Sequence, residues 1–290
     1  MLWQATANGL LLGGLYGIAT IGFSMVWGVM GVINLAHTGF IMLGAYITYG
    51  LFRFAGLDPI ASIPVSMVAM FALGYALQVL VLNRIIRTSL LLSLVVTFGI
   101  ELVMVDAVSI AFTSDVRSVN SSYAASSIEI LGILVPVVRL IAAGFSIALG
   151  IAFFAFLRFT RAGQMILATA LDREVSSLMG INPERIYALT AGAGAALAGA
   201  TGSLASMLFP VMPGMGVTFL SAVFVITVLG GIGSVEGCIV AGFIYGLVQA
   251  WAGYFLGANY QEIVGFGLFL LVLALRPQGL FGRAFFGEHA

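Results

Sequence analysis

Gly9-Leu10-Leu11-Leu12-Gly13-Gly14-Leu15-Tyr16-Gly17-Ile18-Ala19-Thr20-Ile21-Gly22-Phe23-Ser24-Met25-Val26-Trp27-Gly28-Val29-Met30 contains no charged side chain, and none occurs before Arg53. A helix needs about 20 apolar residues to cross the hydrocarbon core of a bilayer. The opening run therefore holds two spans, near 8–30 and 36–55, parted by the polar stretch Asn34 to Gly39. The rest of the composition agrees. Hydrophobic residues make up 61% of the 290 residues and charged residues 8%, whereas a soluble domain carries about 25% charged residues. So few charges cannot cover a soluble surface. An ordinary cytosolic enzyme, a nucleic-acid binder and a disordered chain are excluded.

Charge-free runs mark the remaining spans. Gly56-Leu57-Asp58-Pro59 is a turn, and a third helix is expected over about 60–82. Asn83, Arg84, Arg87 and Thr88 form a short basic loop. A fourth helix, about 92–112, contains Glu101 and Asp106; residues 113–128 are Ser-rich and read as a loop; a fifth helix ends near Leu157. Arg158 to Arg185 is the longest charged segment. Ile186 to Val235 has room for one full helix and a short one, and two more spans follow near 238–256 and 261–275. The runs are continuous rather than alternating, which excludes a transmembrane β-barrel. The expected fold is all-α: a polytopic bundle of eight to ten spans with broken helices, one domain over 1–290, and a helical segment outside the bilayer within about 158–185.

Three segments collect the arginines: Arg84 and Arg87; Arg158, Arg161, Arg173 and Arg185; Arg276 and Arg283. The positive-inside rule puts all three in the cytoplasm. Nine crossings then put the N-terminus on the periplasmic side and the C-terminus in the cytoplasm. Met1 to Asn8 lacks a basic signal-peptide region, and the apolar run behind it is too long for a signal sequence, so it is expected to be retained.

All 11 basic residues are Arg, balanced by 11 acids. Without Lys there is no phosphate-loop lysine and no Schiff base, so the chain is not by itself a P-loop ATPase. His37, His289 and Cys238 give neither an intrachain disulfide nor metal-ligand spacing. No Ser/His/Asp set can be named, and the expectation is a non-enzyme with no cofactor or metal of its own.

Two stretches combine glycine with polar residues between apolar runs: Asn34-Leu35-Ala36-His37-Thr38-Gly39 and Gly230-Gly231-Ile232-Gly233-Ser234-Val235-Glu236-Gly237. Broken helices in two halves mark transport paths, and irregular backbone at membrane depth must be buried or line a cavity. Two ordinary turns near the surface, the first capped by Asn34, fit equally well. Asn34, His37, Thr38, Gly230, Gly231, Gly233 and Ser234 are the path candidates from these stretches. Thr97 and Glu101 join them, one turn apart on one face of the fourth helix. Asp106 points elsewhere on that helix; both acids are expected to face the bundle interior, with Asp106 solvated or paired with Arg117. Packing without a transport role remains open for both. The small residues from Ala191 to Ser203, with Gly194, Ala198 and Gly202 spaced by four, predict close helix packing in lipid.

Within 158–185, Asp172 can cap a short helix whose Val175, Leu178 and Met179 share one face, with Gly180 as its left-handed terminator. Asn182-Pro183 reads as the cap and first position of the next helix. An apolar face without a core of its own calls for a docking partner, or for lipid headgroups.

At these residues the sequence resembles the LivH-type permease subunits of branched-chain amino acid ABC importers, a family that includes urea and short-amide permeases. The resemblance runs over essentially the whole chain. It rests on Gly28-Val29-Met30-Gly31-Val32-Ile33-Asn34-Leu35-Ala36-His37 with Gly44-Ala45-Tyr46, on Ala170-Leu171-Asp172-Arg173-Glu174 with Leu178-Met179-Gly180-Ile181-Asn182, and on Leu229-Gly230-Gly231-Ile232-Gly233-Ser234 with Gly237. It implies that Asp172, Arg173, Glu174, Val175, Leu178, Met179 and Gly180 couple the permease to an ATPase. It also implies a second, LivM-like permease subunit, two cytoplasmic ATPases that bind ATP-Mg, an extracytoplasmic solute-binding protein and a bacterial inner membrane. Gln164 and Leu167 stand where the family carries Arg, and Thr38 where it carries Gly. The competing reading is an ion-coupled secondary transporter using Glu101 and Asp106.

Overall fold

The computed structural model describes residues 2–86, 89–121, 123–124, 126–130, 132–276 and 278–282. Arg87, Thr88, Arg283 and His289, which enter the sequence reading, lie outside these residues. The secondary structure of the described residues is helical apart from one hairpin. In order it forms α1 (Leu2–Met30), α2 (Ala36–Ala55), α3 (Pro59–Leu77) running through a π-helical turn, Gln78–Leu82, into α4 (Asn83–Ile85), and α5 (Leu90–Phe112). The hairpin β1 (Ser127–Ile130) and β2 (Ile133–Pro136) follows. Then come α6 (Val137–Phe159), α7 (Arg161–Leu171), α8 (Arg173–Leu178), α9 (Pro183–Ala205), α10 (Val217–Gly230), α11 (Val235–Phe255) and α12 (Gln261–Leu275).

Among the described residues, 7 helices are long and apolar enough to cross a membrane: α1, the continuous α3–α4, α5, α6, α9, α11, and α12 with the turn before it. Helix α2 also has the length, with 20 residues, and α10 is a shorter apolar helix of 14. These are the segments that the charge-free runs mark. Three details differ from expectation. Helix α1 begins at Leu2 rather than near residue 8. The loop expected over 113–128 runs into an antiparallel hairpin that pairs Ser127 with Pro136. An additional amphipathic helix, α7, precedes α8, with Gly163, Ile166 and Thr169 buried.

Leu134 N in β2 donates to the Gln4 side chain at 3.0 Å, so the start of α1 and the hairpin share one end of the molecule. Helices α7 and α8 lie at the other, called here the Arg-rich end. Helices α1 and α9 form the centre, and glycine lets them touch. A Cβ on Gly22 would lie 2.5 Å from the Gly194 carbonyl of α9. On the other side of α1, a Cβ on Gly13 would lie 2.7 Å from the Gly242 carbonyl of α11, and one on Gly9 would lie 2.6 Å from the Ala250 Cβ. Lipid tails solvate apolar side chains as well as another helix does, so this backbone-close packing is what holds the helices together. The α9 stripe was read from its spacing; Gly9, Gly13 and Gly17 repeat at the same interval on α1.

Candidate translocation and coupling sites

Two segments fold back into the bundle. The first joins α1 to α2. His37 Nε2 donates to the Ala19 carbonyl at 2.9 Å, and Ala19 lies about 16 Å along α1 from Met30, at 1.5 Å per residue. Residues 31–35 therefore climb from the Arg-rich end to mid-bundle before α2 begins. Their backbone is satisfied by polar side chains. Asn34 Oδ1 accepts from Ala36 N at 3.1 Å, close to the expected capping role. Thr97 Oγ1 of α5 accepts from Leu35 N at 3.2 Å and lies 3.5 Å from the Ile33 carbonyl. One turn along α5, Glu101 accepts from Thr38 Oγ1 at 2.6 Å. Asn34, His37, Thr38, Thr97 and Glu101 are all buried. Of the two readings of this stretch, a break inside the bundle is the one observed.

The second segment, 206–216, was not singled out from sequence. Val211 and Arg117 exchange backbone hydrogen bonds at 2.8 and 2.9 Å. Arg117 Nη1 donates to the Tyr49 hydroxyl of α2 at 2.9 Å, and Nη2 donates to the Phe112 carbonyl of α5. From there the chain descends to Gly216, whose Cα packs on the Thr38 backbone so closely that a Cβ would overlap the Thr38 carbonyl. Tyr49 and Thr38 are about 16 Å apart along α2. Helix α10 thus starts mid-bundle, against the start of α2. Its 14 residues span about 21 Å, short of the roughly 30 Å hydrocarbon core.

The expected second break, Gly230 to Gly237, sits lower. Gly233 N donates to Ser24 Oγ near the end of α1 at 2.9 Å, and Ser234 Oγ caps α11 by accepting from Gly237 N at 3.0 Å. Leu280 N and Phe281 N donate to the Leu229 and Gly230 carbonyls at 2.8 and 3.1 Å. The stretch borders a cavity of about 360 Å³ with Gly28, Arg158, Leu171 and Phe281. It is the turn between α10 and α11 at the Arg-rich end, so Gly230, Gly231, Gly233 and Ser234 stand apart from the Thr38–Glu101 group.

Asp106 corrects another expectation. It is exposed on α5, on the same apolar face as Leu102, Val103 and Ile110, because five residues turn it away from Glu101. Arg117 does not pair with it; its guanidinium is taken by Tyr49, Phe112 and Thr113.

Helix α8 follows its sequence closely. Asp172 Oδ1 accepts from Glu174 N and Val175 N at 2.8 and 2.9 Å. Gly180 takes φ 84°, which lets Ile181 N return to the Ser176 carbonyl at 3.1 Å. Val175, Leu178 and Met179 are exposed by 53%, 86% and 79%, an apolar face that nothing among the described residues covers. Arg173 turns inward instead: its guanidinium lies 5.6 Å from the centre of the Tyr187 ring of α9. Asn182 Oδ1 caps α9 through Glu184 N at 3.0 Å, with Pro183 at its first position.

Residues 5–273 match the family model described as branched-chain amino acid transport system / permease component. The chain belongs to this permease family. It is 31% identical to the high-affinity branched-chain amino acid transport system permease protein BraD of Pseudomonas aeruginosa, over 97% of this chain and 95% of BraD. Similarity to LivH of Escherichia coli K12 is 30%, over 97% and 95%, and to a probable LivH of Methanocaldococcus jannaschii 21%, over 91% and 88%. Among solved structures, PsaBC from Streptococcus pneumoniae in complex with Fab aligns over 94% of this chain and 92% of that one, with a TM-score of 0.49 and 12% identity. As the permease component of a branched-chain amino acid ABC transport system, this chain is a non-catalytic, multi-pass membrane subunit of a larger assembly. The ion-coupled reading loses its footing, since the family is an ABC one and its two acids share neither a face nor a cavity.

Proposed function

We propose that the chain is one of two permease subunits of a bacterial inner-membrane importer. It carries branched-chain amino acids, or related small polar solutes such as urea and short amides, by alternating access. The Arg-rich end faces the cytoplasm and the hairpin end, with the N-terminus, the periplasm. The observation that carries the reading is α8: a capped helix of 6 residues held outside the bundle with Val175, Leu178 and Met179 exposed. Such a face fits a groove of a cytoplasmic ATPase, and Glu174 beside it adds a charged contact. Two ATPases holding ATP-Mg would drive the cycle, and a periplasmic binding protein would deliver the solute. Asp106 supports a second transmembrane subunit: a carboxyl group exposed on the apolar face of a spanning helix is disfavoured against lipid, and a partner packed on α5 would cover it.

The test is transport by the reconstituted assembly. Glu174→Arg combined with Met179→Asp lowers both uptake and solute-stimulated ATP hydrolysis by about tenfold or more, the loss of one interface anchor, with the subunit still inserted. Normal coupling in that variant refutes the docking role. Arg173→Cys or Ser177→Cys labels only from the cytoplasmic side if the orientation holds. The isolated chain binds no ATP.

A further inference from the structure

A cavity of about 550 Å³ opens at the hairpin end between α1, α10, α11, α12 and the descending 206–216 segment. Its volume suits a small metabolite, and its lining mixes apolar and polar side chains. Phe209, Met212, Met215 and Phe219 are apolar. Phe209 and Phe219 meet edge-on at 5.9 Å, and Tyr16 meets Phe219 at 6.1 Å and Tyr245 at 5.7 Å, forming one aromatic cluster. Ser221, Gln249 and Glu262 add polar groups. Gln249 Nε2 donates to the Tyr245 hydroxyl oxygen at 2.6 Å, and Ser221, also on the cavity wall, is a second hydrogen-bond partner of that hydroxyl, so of the two O–H protons in the Ser221–Tyr245 pair one remains for an acceptor in the cavity. Glu262, in the first turn of α12, stands at the mouth as an acceptor-only carboxylate. The inner end of the cavity is Thr218 and Phe219 in the first turn of α10, which packs against the start of α2.

Apolar side chains beside one hydroxyl donor pair and one carboxylate match a zwitterion with an aliphatic side chain. We propose that this cavity is the periplasmic entry site for the solute. The aliphatic side chain lies on Phe209 and the exposed Met212, the carboxylate accepts from the Ser221–Tyr245 hydroxyl pair, and the ammonium donates to Glu262. The inference rests on the proposed importer function and adds to it a site and a reason for preferring amino acids. Urea and short amides lack the ammonium and the aliphatic branch, so they leave Glu262, Phe209 and Met212 unused.

The test uses the whole importer in proteoliposomes, with a reporter thiol in the cavity. Cys238 is buried, so the native chain serves as the unlabelled background. Thr218→Cys, and separately Asn259→Cys at the mouth, is exposed to a membrane-impermeant thiol reagent from the periplasmic side, with no binding protein and with millimolar L-leucine, urea or sucrose. Leucine is expected to slow labelling at both positions about tenfold, and urea and sucrose to leave it unchanged. Adding Glu262→Gln to either reporter removes the protection, the loss expected for one charge-assisted hydrogen bond. ATP-driven leucine uptake by the same liposomes separates two failures. Uptake with equal labelling in the presence and absence of leucine overturns the site and leaves the importer reading standing. No uptake of any amino acid by the native assembly, once its binding protein is added, overturns both. Protection that persists with Glu262→Gln overturns the zwitterion assignment.

Discussion

The two segments that fold back into the bundle reach the same depth by different chemistry. Residues 31–35 lean on polar side chains: Asn34 in the turn, His37 and Thr38 just after it, and Thr97 and Glu101 from α5. The 206–216 segment contains Pro210, Pro213, Gly214 and Gly216 and satisfies its backbone chiefly with other backbone groups. Met215 N returns to the Met212 carbonyl at 3.1 Å and Val217 N to the Gly214 carbonyl at 3.0 Å, and Val211 pairs with the backbone of Arg117. A membrane interior accepts irregular backbone only when its polar groups have partners, and side chains or tight turns can provide them. The first solution leaves a polar signature in the sequence. The second leaves only prolines and glycines, which read as an ordinary loop.

Substitutions separate the two solutions. The largest effect is expected where the segments meet. Gly216→Leu forces a side chain into the Thr38 backbone, and overpacking of a tight core costs about 3 kcal/mol or more. Size-exclusion chromatography of the solubilised assembly should show no native-size complex. The polar solution breaks next: Glu101→Ala or Thr97→Val removes one partner of a buried bond and costs about 1–3 kcal/mol, read as a lower melting temperature and reduced uptake. Glu101→Gln keeps an acceptor for Thr38 and should behave almost as the native chain, which assigns Glu101 to positioning α2. A loss of uptake in Glu101→Gln at unchanged melting temperature would instead make its charge functional.

Smaller effects test the periphery. Arg117→Lys cannot reach Tyr49, Phe112 and Thr113 together, because a single ammonium replaces a planar fork. The melting temperature should fall while inward-side labelling at α8 is unchanged. Asp106→Asn should be the mildest, shifting the melting temperature of the isolated subunit by no more than about 1 °C, as for an exposed substitution. A large loss of assembly with the second permease subunit in that variant would show that the carboxylate itself is the contact.

Sequence alone determined the helical, membrane-spanning class and the span positions, because the absence of charge over about 20 residues has only one use in water. It also determined α8, whose cap, apolar face and terminator are local properties: Asp172, Val175, Leu178 and Gly180 act within a few residues of one another. Thr97 and Glu101 were legible as a pair on one helical face, since helical period needs no tertiary information. The tertiary structure alone decided depth and facing. It carried Asn34–Thr38 to mid-bundle and left Gly230–Gly237 at the Arg-rich end, although the two stretches have similar composition. It turned Asp106 outward, and it bent Arg173 back onto Tyr187. It also assembled the cavity by bringing Phe209, Tyr245 and Glu262 together from separate elements. These outcomes depend on which backbones approach closely enough to pack, through Gly22 on Gly194 and Gly13 on Gly242; the spacing of small residues marks a packing face but not which helix it meets.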